Sequence, residues 1–396
     1  MMSRATKRRN SSSEQKPTLS ITDGWYRFID NMDTTMLFAV YFLVGVGLVM
    51  LYSASSAYAL KTFNDSTFFL KRQLLWAALG SIVLVFSFNV PISFLKKRAG
   101  WGFIIVTVLC ALVLIPGIGA QVGGARRWIR IGMVGFQPSE LAKVIIVIVL
   151  ASILARRSRK NDNTFMSLLI PALFVQIPIL LILAGPDLGT AIVIELVILV
   201  VLYIAGIKPV HLFMFVLACL PVVYHLVVAT PFRLRRILGY IDPWAYRSSV
   251  GYQVTEALIS IGSGGVTGVG LGAGKQQLFF LPEAHTDFIF AILAEELGLI
   301  GVLIVLTAFV VVVWRGAQIA INATDEFSCY LAVGLVALIA VPVIFNLFVV
   351  TGLLPTKGLP LTFISSGGSN LLMTLMAVGL LFNIGRTTLS VSKGKR

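Results

Sequence analysis

The chain has 396 residues, of which 57% are hydrophobic and 12% charged, and it carries a formal net charge of +15. With a mean hydropathy of +0.92, it is excluded from the ordinary soluble domains and falls among polytopic membrane proteins. The basic excess sits between apolar runs, where membrane topology and lipid headgroups account for it, so no nucleic-acid partner is implied.

In chain order, residues 1–33 are polar, Ser-rich and basic (Arg4, Lys7, Arg8, Arg9, Lys16), with no apolar run before a cleavage site. They read as a disordered cytoplasmic tail. Runs long enough to span a bilayer follow at 35–55, 69–90, 100–118, 138–155, 164–183, 188–206, 211–229, 288–313, 328–350 and 369–385. Ten spans put both ends on one side. The basic tail, together with Arg386, Lys393, Lys395 and Arg396, makes that side the cytoplasm. The expected fold is therefore an all-α polytopic membrane protein: a ten-helix membrane domain over 34–386, a short cytoplasmic tail over 387–396, and a large extracytoplasmic loop over 230–287. Pro171, Pro178 and Pro342 should kink their spans. The joint Gly185-Pro-Asp-Leu-Gly189 is short enough to force an antiparallel hairpin. No internal repeat marks the chain as an inverted-repeat transporter. Cys110, Cys219 and Cys329 lie in apolar runs and read as small buried hydrophobes, with no disulfide framework.

The connections expected on the outer face collect cations against the usual charge rule. These are Arg126, Arg127 and Arg130, then Arg233, Arg235, Arg236, Arg247 and Lys275, and finally Lys357. Taken singly, each is explained by solvation or a headgroup; together they suit an anionic group, because an arginine fork matches phosphate oxygens. The stretch Leu281-Pro-Glu-Ala-His-Thr-Asp-Phe-Ile-Phe290 places Glu283, His285 and Asp287 at the mouth of the eighth span, with Glu295 and Glu296 two turns inside. Helix capping accounts for Thr286 or Asp287. Glu295 and Glu296 point to a polar pocket, since ionisable groups at membrane depth need a partner or a wet cavity.

Other motifs are weaker. The glycine-rich loop 261–275 fails as a Walker loop, with Val269 and Gln276 at required positions, and reads as a hinge that lets backbone approach closely. Gln137-Pro-Ser-Glu-Leu-Ala-Lys143 opens the fourth span, with Glu140 and Lys143 able to pair along one face. The histidines 211, 225 and 285 are too scattered for a ligand set; a divalent cation such as Mg or Mn, held by carboxylates and a pyrophosphate, stays open. No nucleophile–base pair suggests covalent catalysis. The final loop, 355–369, mixes helix breakers with hydroxyls and should line a pocket.

Gly-Pro-Asp-Leu-Gly-Thr (185–190), Gln-Pro-Ser-Glu-Leu-Ala-Lys (137–143), the stretch 281–290, Glu-Glu-Leu-Gly (295–298) and Pro-Thr-Lys-Gly-Leu-Pro-Leu-Thr-Phe-Ile-Ser-Ser-Gly-Gly (355–368) resemble the signatures of the SEDS proteins (shape, elongation, division and sporulation). Leu51-Tyr-Ser-Ala-Ser55 and Arg236-Ile-Leu-Gly-Tyr-Ile-Asp-Pro-Trp244 resemble the division branch more than the elongation branch, and Ser366 stands where many relatives carry an aromatic residue. The resemblance implies a peptidoglycan glycosyltransferase of the bacterial inner membrane at the division septum. It would polymerise lipid II, a disaccharide-pentapeptide on undecaprenyl pyrophosphate, with inversion. Asp287 would be the catalytic base. Arg126, Arg127, Glu140, Lys143, Asp187, Arg236, Lys275, Glu283, His285, Lys357 and Ser365 are the substrate-binding candidates. A class B penicillin-binding transpeptidase, divisome activators and membrane lipid are the implied partners. The alternatives are a lipid II flippase, an elongation-type polymerase, or a scaffold in which Asp287 is dispensable.

Overall fold

The computed structural model describes residues 32–122, 125–131, 134–158, 165–228, 231–275 and 284–394; the expected N-terminal tail lies almost wholly outside the described residues. Apolar runs closed by caps and breakers become helices. The first is α1 (Thr34–Phe63), whose N-cap Asp33 accepts from the Met36 amide and whose C-cap Asn64 takes the left-handed conformation. Then come α2 (Phe68–Asn89) and α3 (Ile92–Leu114), followed beyond a small sheet by α4 (Pro138–Ser158), α5 (Phe165–Phe174), α6 (Gln176–Ala184), α7 (Leu188–Ile204) and α8 (Pro209–Val228). The chain continues through α9 (Pro231–Ile241), α10 (Tyr252–Gly264), α11 (Ile289–Ile321), α12 (Glu326–Val350) and α13 (Gly368–Gly394).

Seven of the described helices are long and apolar enough to cross a membrane: α1 to α4 and α11 to α13. Shorter apolar helices cover Leu169–Ala184, Leu188–Ile204 and Pro209–Ala218. The chain is a helical, multi-pass membrane protein. The fifth expected span is divided. Pro178 has no amide to offer the Phe174 carbonyl, and the helix breaks at Val175. Pro342 sits inside α12 without ending it. The last helix runs on to Gly394, past the expected start of a tail.

The all-α expectation needs correction. Between α3 and α4 the chain forms an antiparallel sheet of β1 (Gly119–Val122), β2 (Ala125–Ile131) and β3 (Val134–Phe136), in spatial order β1-β2-β3. Gly119 pairs with Ile129 and Ile129 with Phe136, so one aromatic- and Ile-bearing strand is shared by two partners. β1 and β3 are too short to show alternation, and β2, Ala-Arg-Arg-Trp-Ile-Arg-Ile, breaks it with adjacent arginines. The expected large loop also contains two helices, α9 and α10.

Burial centres on α4 and α12. Ala142, Ile146, Leu150 and Leu154 follow one another at helical spacing and are almost fully enclosed. Around them pack α3, α12, α13 and α7, while α11 lies between α1, α10 and α12, and α13 runs along α2. On the outside, Phe38, Ile82, Phe86 and Val310 are exposed, the arrangement expected where side chains meet lipid tails.

One spanning helix is broken by design. Within α11, Gly298 takes φ 64° and ψ −167°, a region open in practice only to glycine. The backbone groups freed there are satisfied by the glycine-rich loop. Val269 N donates to Glu295 O, Gly270 N to Glu296 O, Leu299 N to Gly265 O and Ile300 N to Val266 O, all at 3.0–3.1 Å. The adjacent carboxylates lock the same joint: Glu295 accepts from Lys275 N and Ser260 Oγ, and Glu296 from Ser53 Oγ. The close approach predicted for the glycines is therefore observed, and it is backbone against backbone.

A methyl group at Gly298 would lie 2.2 Å from Gly268 N and 2.6 Å from Val266 O, whereas one at Gly45 in α1 meets nothing within 4 Å. Gly298→Ala should destabilise the detergent-solubilised protein by about 3 kcal/mol or more, read as a lowered melting temperature. Gly45→Ala should be neutral or gain up to about 1 kcal/mol. Equal melting of the two variants would contradict the broken-helix joint.

Candidate active site

The turn before α11 brings Asp287 to the face that also carries the α6–α7 joint, the sheet and the α12–α13 connection. Asp287 is half-buried. The N-cap position of α11 falls to Phe288, whose side chain makes no capping hydrogen bond, so the capping explanation does not settle on Asp287 by position. Three consecutive carbonyls of this turn are held from the α12–α13 side. Ser366 N donates to His285 O at 3.1 Å, Ser365 Oγ donates to Thr286 O, and Asn346 Nδ2 donates to Asp287 O at 2.8 Å. Asn346 also donates to Leu359 O at 2.7 Å, and Ser365 Oγ accepts from Leu361 N at 2.8 Å. Gln73 of α2 reaches the same connection, donating to Ser365 O.

The cations arrive from separate stretches. Arg236 of α9 donates through Nη1 to Thr356 O at 3.2 Å. Burial pulls its pKa below the usual arginine range, the Asp287 carboxylate opposes that pull, and Arg127 reinforces it. Arg236 therefore sits in the field of both Asp287 and Arg127 and, as a guanidinium, keeps its charge. The residue after Lys357 is Gly358, where a Cβ would lie 2.7 Å from Asp287 Oδ2. Glycine here is what lets the connection close against the carboxylate. Lys357 itself extends toward the α6–α7 joint: its Cε and Asp187 Oδ1 lie 3.3 and 3.6 Å from a Cβ built at Gly189.

Asp187 caps α7, accepting from Thr190 N at 3.2 Å and Thr190 Oγ1 at 2.9 Å, and it accepts from Gln137 Nε2 at 3.3 Å. Arg127 of β2 donates to Pro186 O and approaches Asp187 Oδ1 at 3.8 Å. Asp287, Arg236, Arg127, Lys357 and Asp187 thus converge, with a carboxylate at one side of a cationic group. Arg126 borders a narrow cleft with Arg127, Ser139 and Asp187.

The remaining candidates are placed otherwise. Glu140 and Lys143 form the intrahelical ion pair that their spacing allows, 2.7 Å apart and largely buried in the first turns of α4. His285 packs against the rings of Tyr58 and Phe69, at 5.7 and 4.8 Å between centroids, and those two rings are 6.1 Å from each other. The Ser365 hydroxyl is engaged with backbone on both sides. Lys275 lines a recess with Trp244 and Glu256 that shares no lining residue with the Asp287 group. Glu283 lies outside the described residues. Sequence reasoning missed Asn346, Gln73 and Gly358; the signal for Asn346 was a lone amide deep in an apolar run.

Among the described residues no three His, Cys, Asp or Glu side chains gather as a metal site. The donor set near Asp287 is mainly cationic, so a divalent ion there would take most of its ligands from a diphosphate and water. The arrangement suits accepting a proton beside a group that becomes negatively charged as it leaves.

The cell cycle protein family model of FtsW, RodA and SpoVE matches residues 34–389. A probable peptidoglycan glycosyltransferase FtsW of Geobacter sulfurreducens is 41% identical over 356 residues, covering 90% of this chain and 95% of its own. The stage V sporulation protein E of Bacillus subtilis is 41% identical over 355 residues, covering 89% and 97%. Among solved structures, a chain from work on the structural coordination of polymerization and crosslinking by a peptidoglycan synthase complex superposes with a TM-score of 0.75 at 29% identity, over 90% of this chain and 98% of that one. The rod shape determining protein RodA of Thermus thermophilus gives 0.66 at 28% identity, over 90% and 97%. The match covers the spans, the α6–α7 joint, the turn bearing Asp287 and the α12–α13 connection, and on it the chain belongs to the cell cycle protein family of FtsW, RodA and SpoVE.

Proposed function

We propose that the chain is a peptidoglycan glycosyltransferase that polymerises lipid II for septal wall synthesis, with Asp287 as its catalytic base. The observation that carries this reading is the Asp287 carboxylate in the field of Arg236, with Arg127 beside Arg236 and the backbone that follows Lys357 closed against Asp287 at Gly358. The seven long helices and three shorter apolar ones are compatible with ten spans and both ends in the cytoplasm, which puts the Asp287 face outside.

The reaction follows from these residues. Asp287 takes the proton of the acceptor sugar's 4-hydroxyl as its oxygen bonds to the anomeric carbon of the donor. The bond from that carbon to the diphosphate breaks, and its electron pair leaves with the polyprenyl diphosphate. Arg236, Arg127 and Lys357 stabilise the departing anion. Displacement by a single activated oxygen inverts the anomeric centre, as in inverting glycosidases. Asp187 holds Arg127 near the group, and Asn346 and Ser365 fix the turn that aims Asp287.

A transporter reading would rest on the intramembrane carboxylates Glu195, Glu295 and Glu296. Glu295 and Glu296 are spent locking the Gly298 joint, and Glu195 accepts from Gln176 Nε2. The names of the relatives point to the same activity, and the synthase-complex neighbour supports a penicillin-binding transpeptidase as partner; divisome activators as further partners and a septal location belong to the same proposal.

Asp287→Asn should leave a folded protein in the membrane and lower glycan formation from purified lipid II by about 10²-fold or more, measured by gel separation of labelled strands. Unchanged polymer would refute the assignment. Arg236→Gln should lower kcat by about 10²-fold with a smaller change in KM, as expected for charge stabilised mainly in the transition state. Gly358→Ala, which displaces the carboxylate without removing it, should lower kcat at unchanged melting temperature; full activity would show that the Gly358 contact does not position Asp287.

A further inference from the structure

A recess of about 770 Å³ opens on the same long connection that carries α9 and α10. It is bordered by Trp244 and Arg247 of the α9–α10 turn, by Tyr252, Glu256 and Ile259 along α10, and by Lys275. None of these side chains belongs to the Asp287 group, and neither the fold nor the chemistry described above uses the recess. Its size suits an extended ligand of a few rings.

The lining has a particular chemistry. Tyr252, Glu256 and Ile259 recur at helical spacing and share one face of α10. Ser260, one turn on from Glu256 at the edge of that face, is bonded to Ala291 O and Glu295 of α11. The recess is therefore backed by the helix that leads out of the catalytic turn. Glu256 is only 5% exposed, and its carboxylate meets Arg247 Nη2 at 3.2 Å, which holds a half-exposed guanidinium at the rim. Trp244 is 57% exposed, which leaves its indole open to a ligand in the recess. Lys275, also exposed, is fixed in place through its backbone amide, which donates to Glu295 Oε1 at 2.9 Å. Open aromatic faces complement the C–H faces of pyranose rings, while the two cations against one buried carboxylate favour a ligand bearing carboxylates.

We propose that this recess is a subsite for the growing glycan strand, holding N-acetylated sugar rings on Trp244 and Tyr252 and the carboxylates of their stem peptides near Arg247 and Lys275. The proposal rests on the polymerase reading and deepens it: a strand gripped away from Asp287 stays bound between additions, so the recess sets product length and leaves the chemistry of each addition to Asp287. A protein partner with an acidic segment is the competing occupant.

The test uses the full chain in lipid nanodiscs with two readouts. The first is binding of a soluble tetrasaccharide bearing stem peptides, prepared by enzymatic digestion of cell wall. Asp287→Asn should bind it as the wild type does, while Trp244→Ala and Tyr252→Ala should each weaken it about 3- to 10-fold and Trp244→Phe should restore most of the loss. The second is strand length from lipid II: both alanine variants should make shorter strands at an unchanged rate of first coupling. Equal affinity across the variants, unchanged strand length, or a fall in the first-coupling rate that matches the shortening would each overturn the proposal. So would an absence of fragment binding combined with Trp244→Ala weakening the association with a transpeptidase, which would make the recess a protein-docking surface. Fragment bound through Trp244 by a wild-type chain that makes no polymer would support the recess and overturn the polymerase reading instead, so the two failures are distinguishable.

Discussion

Three adjacent carbonyls, those of His285, Thr286 and Asp287, all accept hydrogen bonds from the α12–α13 side of the molecule. A chain entering a membrane helix cannot leave backbone groups unsatisfied, and here the partners are an amide and a hydroxyl from the α12–α13 connection and the carboxamide of Asn346 in α12. The constraint has two consequences. It fixes the direction in which Asp287 leaves the turn, and it brings Gly358 and Lys357 to the same place, because Asn346 holds Asp287 O and Leu359 O with a single side chain. The carboxylate proposed as the base is thus aimed largely by groups that bond the backbone of its own turn.

Around that frame, charge is assembled from segments far apart in the chain. Arg236 comes from a helix in the long connection, Arg127 from a strand, and Lys357 from the last connection. The two arginines are tethered to backbone carbonyls, Arg236 to Thr356 O and Arg127 to Pro186 O, and the Lys357 side chain packs along Gly189. Such tethering costs the cations part of their hydration before a ligand arrives, which is the preorganisation that electrostatic catalysis needs. The Gly298 break acts at the other end of the same helix segment. It ends the first two turns of α11 as a separate unit, buttressed by the glycine-rich loop and by Glu295 and Glu296.

Much of this was legible in the residues, for reasons that differ by element. The long apolar runs match the helices closely because hydropathy over about 20 residues is a strong signal. The hairpin at Gly185–Gly189 and the close approach of the glycine-rich loop followed from turn chemistry. The sheet at 119–136 was missed because β1 and β3 are very short and β2, Ala-Arg-Arg-Trp-Ile-Arg-Ile, does not alternate cleanly, and α9 and α10 because a long connection hides helices shorter than a span. At the site, Asp287 stood out through its motif, and the basic connections suggested an anion. What the sequence could not do was sort cations by distance: Arg236 lies in the field of Asp287 and Lys357 extends toward Asp187, while Lys275 lines another recess and Lys143 is paired within α4. Nor did it show that His285 packs in a cluster with two aromatic rings, since Tyr58 and Phe69 are more than 200 positions away.

The most direct test of the central claim is a cryo-EM map of the Asp287→Asn protein with lipid II bound in nanodiscs. The account predicts the donor diphosphate within hydrogen-bond or ion-pair reach of Arg236 and Lys357, about 3–4 Å, with an acceptor hydroxyl facing residue 287. A diphosphate bound away from both cations, or a sugar that cannot approach residue 287, would contradict it.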